Sequence, residues 1–225
     1  QLNKGVFADA ASMLQGKVAG LTVTTTGDPN GAPSMTLRGA SEDLWMSAFV
    51  NMAVLVLSTE IVRSLSNISK VNKDAINYIE SIDFSELQDF DSDFPKEYKF
   101  VSRHLRRKYN QFQSWVSNIR RVEQPLFYPK TFLDVLIRII KESVPVLKDS
   151  FYSVYFDEYE NLNSTQKKIV NTWVKQSHSP LVFNIAMKHQ SFDIAETLSD
   201  ERIVNVHDYR KIDLEGLLSA HFDTF

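Results

Sequence analysis

The chain has 225 residues, 43% of them apolar, and a net charge of −3. That is enough for one substantial core, and the charge balance alone points to no polyanionic partner. The absence of cysteine excludes disulfides, thiolate zinc sites and a thiol nucleophile, and leaves the compartment open. The first residue is Gln1, and QLNKGVFADA holds no apolar run of the signal-peptide kind. The sequence therefore reads as a processed product or a piece of a longer chain.

Composition divides the chain near Ser41. Six of the seven glycines fall in the first 41 residues, and Gly216 is the seventh. Phe7 is the only aromatic residue there, although the chain has 15 Phe, 8 Tyr and 3 Trp. In this first part ADAASMLQ (8–15) reads as a short helix ended by Gly16. GLTVTTT (20–26) and SMTLRGA (34–40) alternate apolar and polar residues, which predicts two short strands. GDPNGAP (27–33) between them is dense in turn formers.

The second part begins helical. Ser41 can cap a helix that starts Glu42-Asp43 and runs to about Asn67. Its uncharged run LWMSAFVNMAVLVLST covers 44–59, shorter than the roughly 20 residues a membrane span wants, so it reads as a buried core helix. VNKDAINYIES (71–81) predicts a short helix and the acidic DFSELQDFDSDFP (83–95) a loop. From Pro95 to about Val122, Tyr98, Val101, Leu105, Tyr109, Phe112, Trp115, Val116 and Ile119 recur near a 3.6 period. EQPLFYPK turns the chain at two prolines, and FLDVLIRIIKES (132–143) is amphipathic again.

The pattern then changes. SFYSVYF (150–156) predicts a buried-type strand, NSTQKKIVNTWVKQS (163–177) a helix capped by Asn163 or Ser164, and PLVFNIAMK (180–188) a second strand. IAETLSDE predicts a short helix, and RIVNVHDYRKIDLE (202–215) a third extended stretch. Strand alternating with helix suggests a parallel sheet with crossovers.

The strand at 150–156 runs straight into Asp157 and Glu158. P-loop ATPase chemistry needs such an element: a strand-end acid holds the magnesium shell, and a second polar group orients the attacking water. Asp157 suits the first role, Glu158 the second. Asn184 lies within the apolar run of the next strand, where a polar residue needs a partner; it is a candidate for sensing a γ-phosphate. The bland reading of the same residues is a solvated strand end and a backbone-satisfied asparagine. A Walker A loop, G-x-x-x-x-G-K-[ST], is absent. At the only Gly-Lys pair, Gly16-Lys17, Val18 stands where Ser or Thr would bind magnesium and Ala11 where the first glycine would be.

YFDEYENLNSTQKKIVNTWVKQSHSPLVFNIAMK, followed by HDYRKIDLE, resembles a group of bacterial AAA ATPases related to the origin-recognition type. EDLWMSAFVNMAVLVLSTEIVRSLS is similar to the helix that follows their phosphate loop. The resemblance covers 42–225. It implies Walker B roles for Asp157, which would hold Mg2+ through water, and Glu158. It also implies a sensor role for Asn184, with ATP and Mg2+ as cofactors, other subunits of an AAA assembly as partners, and a cytoplasmic location. LQGKVAGLTVTTTGDPNGAPSMTLRGAS resembles the plug domain of SusC/RagA-type TonB-dependent outer-membrane receptors, which gate import of glycans or peptides. The matching residues are Leu14 to Leu21, Asp28 to Gly31 and Leu37 to Ser41. For residues 1–41 that resemblance implies an outer-membrane origin.

Arg103, Arg106, Arg107, Lys108, Arg120 and Arg121 put positive charge on the 96–122 helix. A nucleic-acid face is one reading. The preferred one is a solvated face balanced by Glu97 and the acidic 83–93 loop. The five histidines show no metal-ligand spacing.

The reading of the whole is α/β: a plug-like segment (1–41), a mainly helical region (42–149) and an incomplete parallel-sheet AAA-type core (150–225). The expected function is that of an ATPase fragment inactive as it stands. The alternatives are a transport-receptor plug fragment and a helical protein-interaction module.

Overall fold

The computed structural model describes residues 41–188, 192–213 and 216, with the backbone of 21–24 and 34–37. The two short strands expected near the N-terminus form an antiparallel hairpin, β1 (Leu21–Thr24) and β2 (Ser34–Leu37), with Leu21 opposite Leu37. The expected helix over 8–15, Lys17, and the turn at Asp28 to Gly31 lie outside the described residues.

Ser41 caps α1 (Glu42–Val71), accepting from the Leu44 N–H at 3.2 Å. Two acids in the first turn and Lys70 in the last complement the helix dipole. The helix overruns its expected end and stops at Asn72. The Asn72 side chain then accepts from the Asp74 and Ala75 N–H groups and starts α2 (Ala75–Glu80). By length and composition α1 is apolar enough to cross a bilayer. Here it is a core helix, packed against α2, α3 (Tyr98–Ser117), α4 (Thr131–Ser143) and α5 (Ser164–Lys175). Its buried side chains include Phe49, Val54, Leu55, Ile61, Val62 and Leu65, and also Asn51 and Ser58.

The acidic stretch 83–95 is not a solvated loop. It contains a 3-10 turn at Ser85–Asp89 and buries Phe84, Leu87 and Phe94. It also buries Asp91, whose Oδ2 accepts from His104 Nε2 at 2.8 Å, Tyr128 Oη at 2.5 Å and Lys108 Nζ at 2.9 Å. Three donors from two elements on one oxygen fasten the loop to α3 and to the start of α4. The Tyr128 ring stacks on Phe132 at 4.4 Å, and its N–H donates to Asn51 Oδ1 of α1 at 2.9 Å. α3 stops at Ser117, short of the expected Val122, where the Asn118 N–H turns back to the Trp115 carbonyl.

The second half holds one parallel pair, β3 (Tyr152–Phe156) and β4 (Leu181–Ile185), joined through α5. Two expected elements are not there. IAETLSDE is not a helix: Glu196 bridges Arg202, and the Thr197 N–H donates to the Glu201 carbonyl at 2.7 Å in a tight turn. The reason is Asn171 of α5, whose amide donates to the carbonyls of Ile194 and Glu196, both at 2.9 Å, and so holds the chain open. Residues 202–213 form no third strand either. They carry an isolated bridge, Asn205 to Tyr209, around a turn with Val206 at φ 77°. The sheet among the described residues has two strands, not three.

The Asp91 cluster makes the fold acid-sensitive. Burial pushes the Asp91 carboxyl up, but the hydrogen bonds from Tyr128, Lys108 and His104 outweigh it and hold it at about 2, below its ordinary 3.8. Burial pushes the His104 imidazole down. Both groups bind protons more readily in the unfolded chain, so both favour unfolding as pH falls. For Asp91 the loss runs from about pH 4 down to about pH 2 and amounts to about 2 kcal/mol. Urea titrations across that range are expected to show this loss, and Asp91→Asn is expected to flatten it while lowering stability at neutral pH.

Candidate functional site

β3 runs in register with β4, Tyr155 opposite Asn184 and Phe156 opposite Ile185. Alternation sends Tyr152, Val154 and Phe156 to one face with Leu181, Phe183 and Ile185. α5 covers that face: Trp173 lies 6.1 Å from the Phe156 ring and 5.2 Å from Phe183. Ser153, Tyr155 and Asn184 occupy the other face, where Tyr155 is 60% exposed.

The ladder continues past both strands, but irregularly. The Ala186 N–H donates to the Phe156 carbonyl at 2.8 Å. In a regular parallel ladder the Ala186 carbonyl would then accept from residue 158. It accepts instead from the Tyr159 N–H, at 3.2 Å. One extra residue is therefore accommodated, as in a bulge. Glu158 takes up the slack in the left-handed region, φ 52° and ψ 41°, a strained setting for a non-glycine residue. Its freed N–H donates to Asp157 Oδ1 at 2.9 Å, and its Oε2 accepts from Asn161 Nδ2 at 3.0 Å. Both acids are exposed, and neither has a cationic partner among the described residues.

Asn184 is half-buried, and it does not sit in the buried run its neighbours suggest. Its amide donates to Ser153 Oγ at 2.9 Å and to the Val154 carbonyl at 3.1 Å. The two strands thus bring Asp157, Glu158 and Asn184 to one small sheet, while the asparagine's donors are committed to β3 and not to the acids.

Tyr159 fixes the far side of the bulge. It is fully buried, and its single hydroxyl proton is shared between Asn171 Oδ1 at 2.9 Å and the Ile194 carbonyl at 3.1 Å. Lys167 of α5, its side chain 3% exposed, pairs with both oxygens of Asp193 at 2.8 and 2.9 Å and lies over the Tyr159 ring. The acidic pair, α5 and the segment after β4 are therefore one hydrogen-bonded unit. The sequence reading passed over Tyr159, Lys167, Asn171 and Asp193. The available signal was polar Lys167 and Asn171 on the helix face that also carries Val170 and Val174.

Asp157 and Glu158 thus end one strand of a parallel pair whose other strand bears Asn184, and the sequence resemblance is to AAA ATPases. A family model agrees over most of the length. Residues 27–225 match the ORC-CDC6-like model. The chain belongs to the ORC-CDC6-like family. It is thereby related to AAA-type ATPases, as the resemblance over 42–225 implied. The match starts at Gly27, so it crosses the division near Ser41 and takes in β2. No curated protein and no solved structure matches the chain.

Within this ORC-CDC6-like chain the buried Asn171 amide serves two carbonyls at once. Asn171→Ala is expected to destabilise by about 1–3 kcal/mol through the stranded acceptors. Hydrogen exchange should rise first at Thr197 and Ile203, whose N–H groups hold the adjoining turn.

Proposed function

We propose that this chain is an AAA-type ATPase-related module that presents the Walker B side of a nucleotide site and does not bind Mg-ATP by itself. The observation that carries the reading is the strand-end bulge. Asp157 and Glu158 leave β3 exposed and unpaired with any cation among the described residues, on the sheet that also bears Asn184. By the family relation Asp157 takes the magnesium-shell role, Glu158 the water-orienting role and Asn184 the sensing role.

The residues present do not fit the whole cofactor. Asp157 already spends one oxygen on the Glu158 N–H. Among the described residues no group of three His, Cys, Asp or Glu side chains gathers to hold a metal. The 225 residues contain no glycine-rich loop ending in Lys-Ser or Lys-Thr to ligate the β- and γ-phosphates. Two carboxylates without those ligands would meet the triphosphate with like charge. For residues 1–41, the plug-like reading rests on the quoted residues alone, and the family match overlaps its second half.

Calorimetry of the intact chain with Mg-ATP is expected to show no binding, with circular dichroism confirming the fold. Micromolar binding abolished by Asp157→Ala, or turnover abolished by Glu158→Gln, would overturn the claim of inactivity.

A further inference from the structure

The backbone of β3 is paired on one side only. Tyr152, Val154 and Phe156 direct their N–H and C=O groups to β4, beginning with the Tyr152 N–H on the Pro180 carbonyl at 2.7 Å. Alternation turns the backbone groups of Ser153 and Tyr155 to the other side. There they have no hydrogen-bond partner among the described residues. The outer edge of β4 is partly closed by contrast. Its Leu181 N–H donates to the His178 carbonyl at 3.0 Å, and its Phe183 N–H to Ser177 Oγ at 2.9 Å.

Burial follows the same division. On the face covered by α5, Leu181 and Phe183 are buried, but Tyr152, Val154 and Phe156 are only half-buried. The core is unfinished at β3. On the opposite face Phe151 is 65% exposed, beside exposed Tyr155. Ser150 to Phe156 contains no charge, proline or glycine, so the run carries none of the usual guards against strand addition.

Charge selects the occupant. Lys148 and Asp149 precede the run, Asp157 and Glu158 follow it, and all four are exposed. A second copy laid parallel would set the acidic pair against its own counterpart. Laid antiparallel, it sets the acidic pair against an end that is neutral overall and supplies Lys148. With Val154 facing its counterpart, Ser153 meets Tyr155 twice through their free backbone groups. Tyr152 then faces Phe156 twice on the inner side, and Phe151 and Tyr155 of both copies gather on the outer side.

We propose that β3 pairs antiparallel with β3 of a second copy of this chain, making a closed two-fold dimer with a four-strand sheet. The pairing brings a cation, the second copy's Lys148, to the end of the strand that bears Asp157 and Glu158. It does not depend on whether the chain binds a nucleotide.

The test uses the absence of cysteine. In this register the two Val154 residues form a non-hydrogen-bonded pair with Cα atoms about 4.5 Å apart, within disulfide reach. Val154→Cys is expected to cross-link the chain as a dimer under mild oxidation. Val206→Cys, at a position 73% exposed, should not. Sedimentation equilibrium of the unsubstituted chain should give twice its mass of 25.8 kDa. Lys148→Glu should weaken the dimer about tenfold. Lys211→Glu makes the same charge change at another exposed position and should leave the dimer unchanged. A folded monomer would overturn the proposal. So would open-ended assemblies, equal cross-linking at both cysteine positions, or equal loss in both charge variants.

Discussion

α1 has to be covered along most of its length, and the rest of the fold is arranged by that need. Its buried side chains, from Ala48 to Leu65, spread over more than half of the helix circumference, too wide for any single neighbour to shield. α2, α3, α4 and α5 each take a share. The contact with α5 joins the helical half to the sheet half, and Thr165 adds a hydrogen bond to Glu42 at 2.9 Å. A two-strand parallel pair cannot be closed by a turn or stand alone in water. Here α5 crosses between β3 and β4, covers their inner face through Trp173, and rests on α1. The position of Asp157 and Glu158 is thus inherited from the helix bundle.

Two polar clusters use charge in opposite ways. At Asp91 an acid is withdrawn from solvent and satisfied by Tyr128, His104 and Lys108, so its negative charge is spent on structure. At Lys167 a cation is withdrawn and satisfied by Asp193. Each burial is tolerable because the partner is present with good geometry. The first also bears on α3, since Asp91 takes up the charge of Lys108 on that helix.

The strand-end bulge shows how a local distortion can matter to a site. A regular ladder would pair the Glu158 N–H with the Ala186 carbonyl. The extra residue moves that bond to Tyr159, which is locked by Asn171 and the Ile194 carbonyl. Glu158 is left strained and outward, held by Asp157 and Asn161. A change in the segment around Ile194 would be felt at Glu158 through one tyrosine.

By itself the sequence determined the helices, the strands at 152–156 and 181–185, the core positions of α3 and the acidic strand end. These follow from local periodicity, capping and the apolar content of short windows. Asn163, one of the two expected caps, starts α5 in a capping box with Gln166. Tertiary structure alone decided the fate of 83–95, where three donors from 104, 108 and 128 turn an acidic stretch inward. It also decided the segments at 194–201 and 202–213, where Asn171 outbid helix formation and no neighbouring strand supplied a ladder. Asn184's outward face and the bulge at Glu158 belong to the same class. Each depends on a hydrogen-bond or ion-pair partner distant in sequence, and pattern within a window carries no information about such partners.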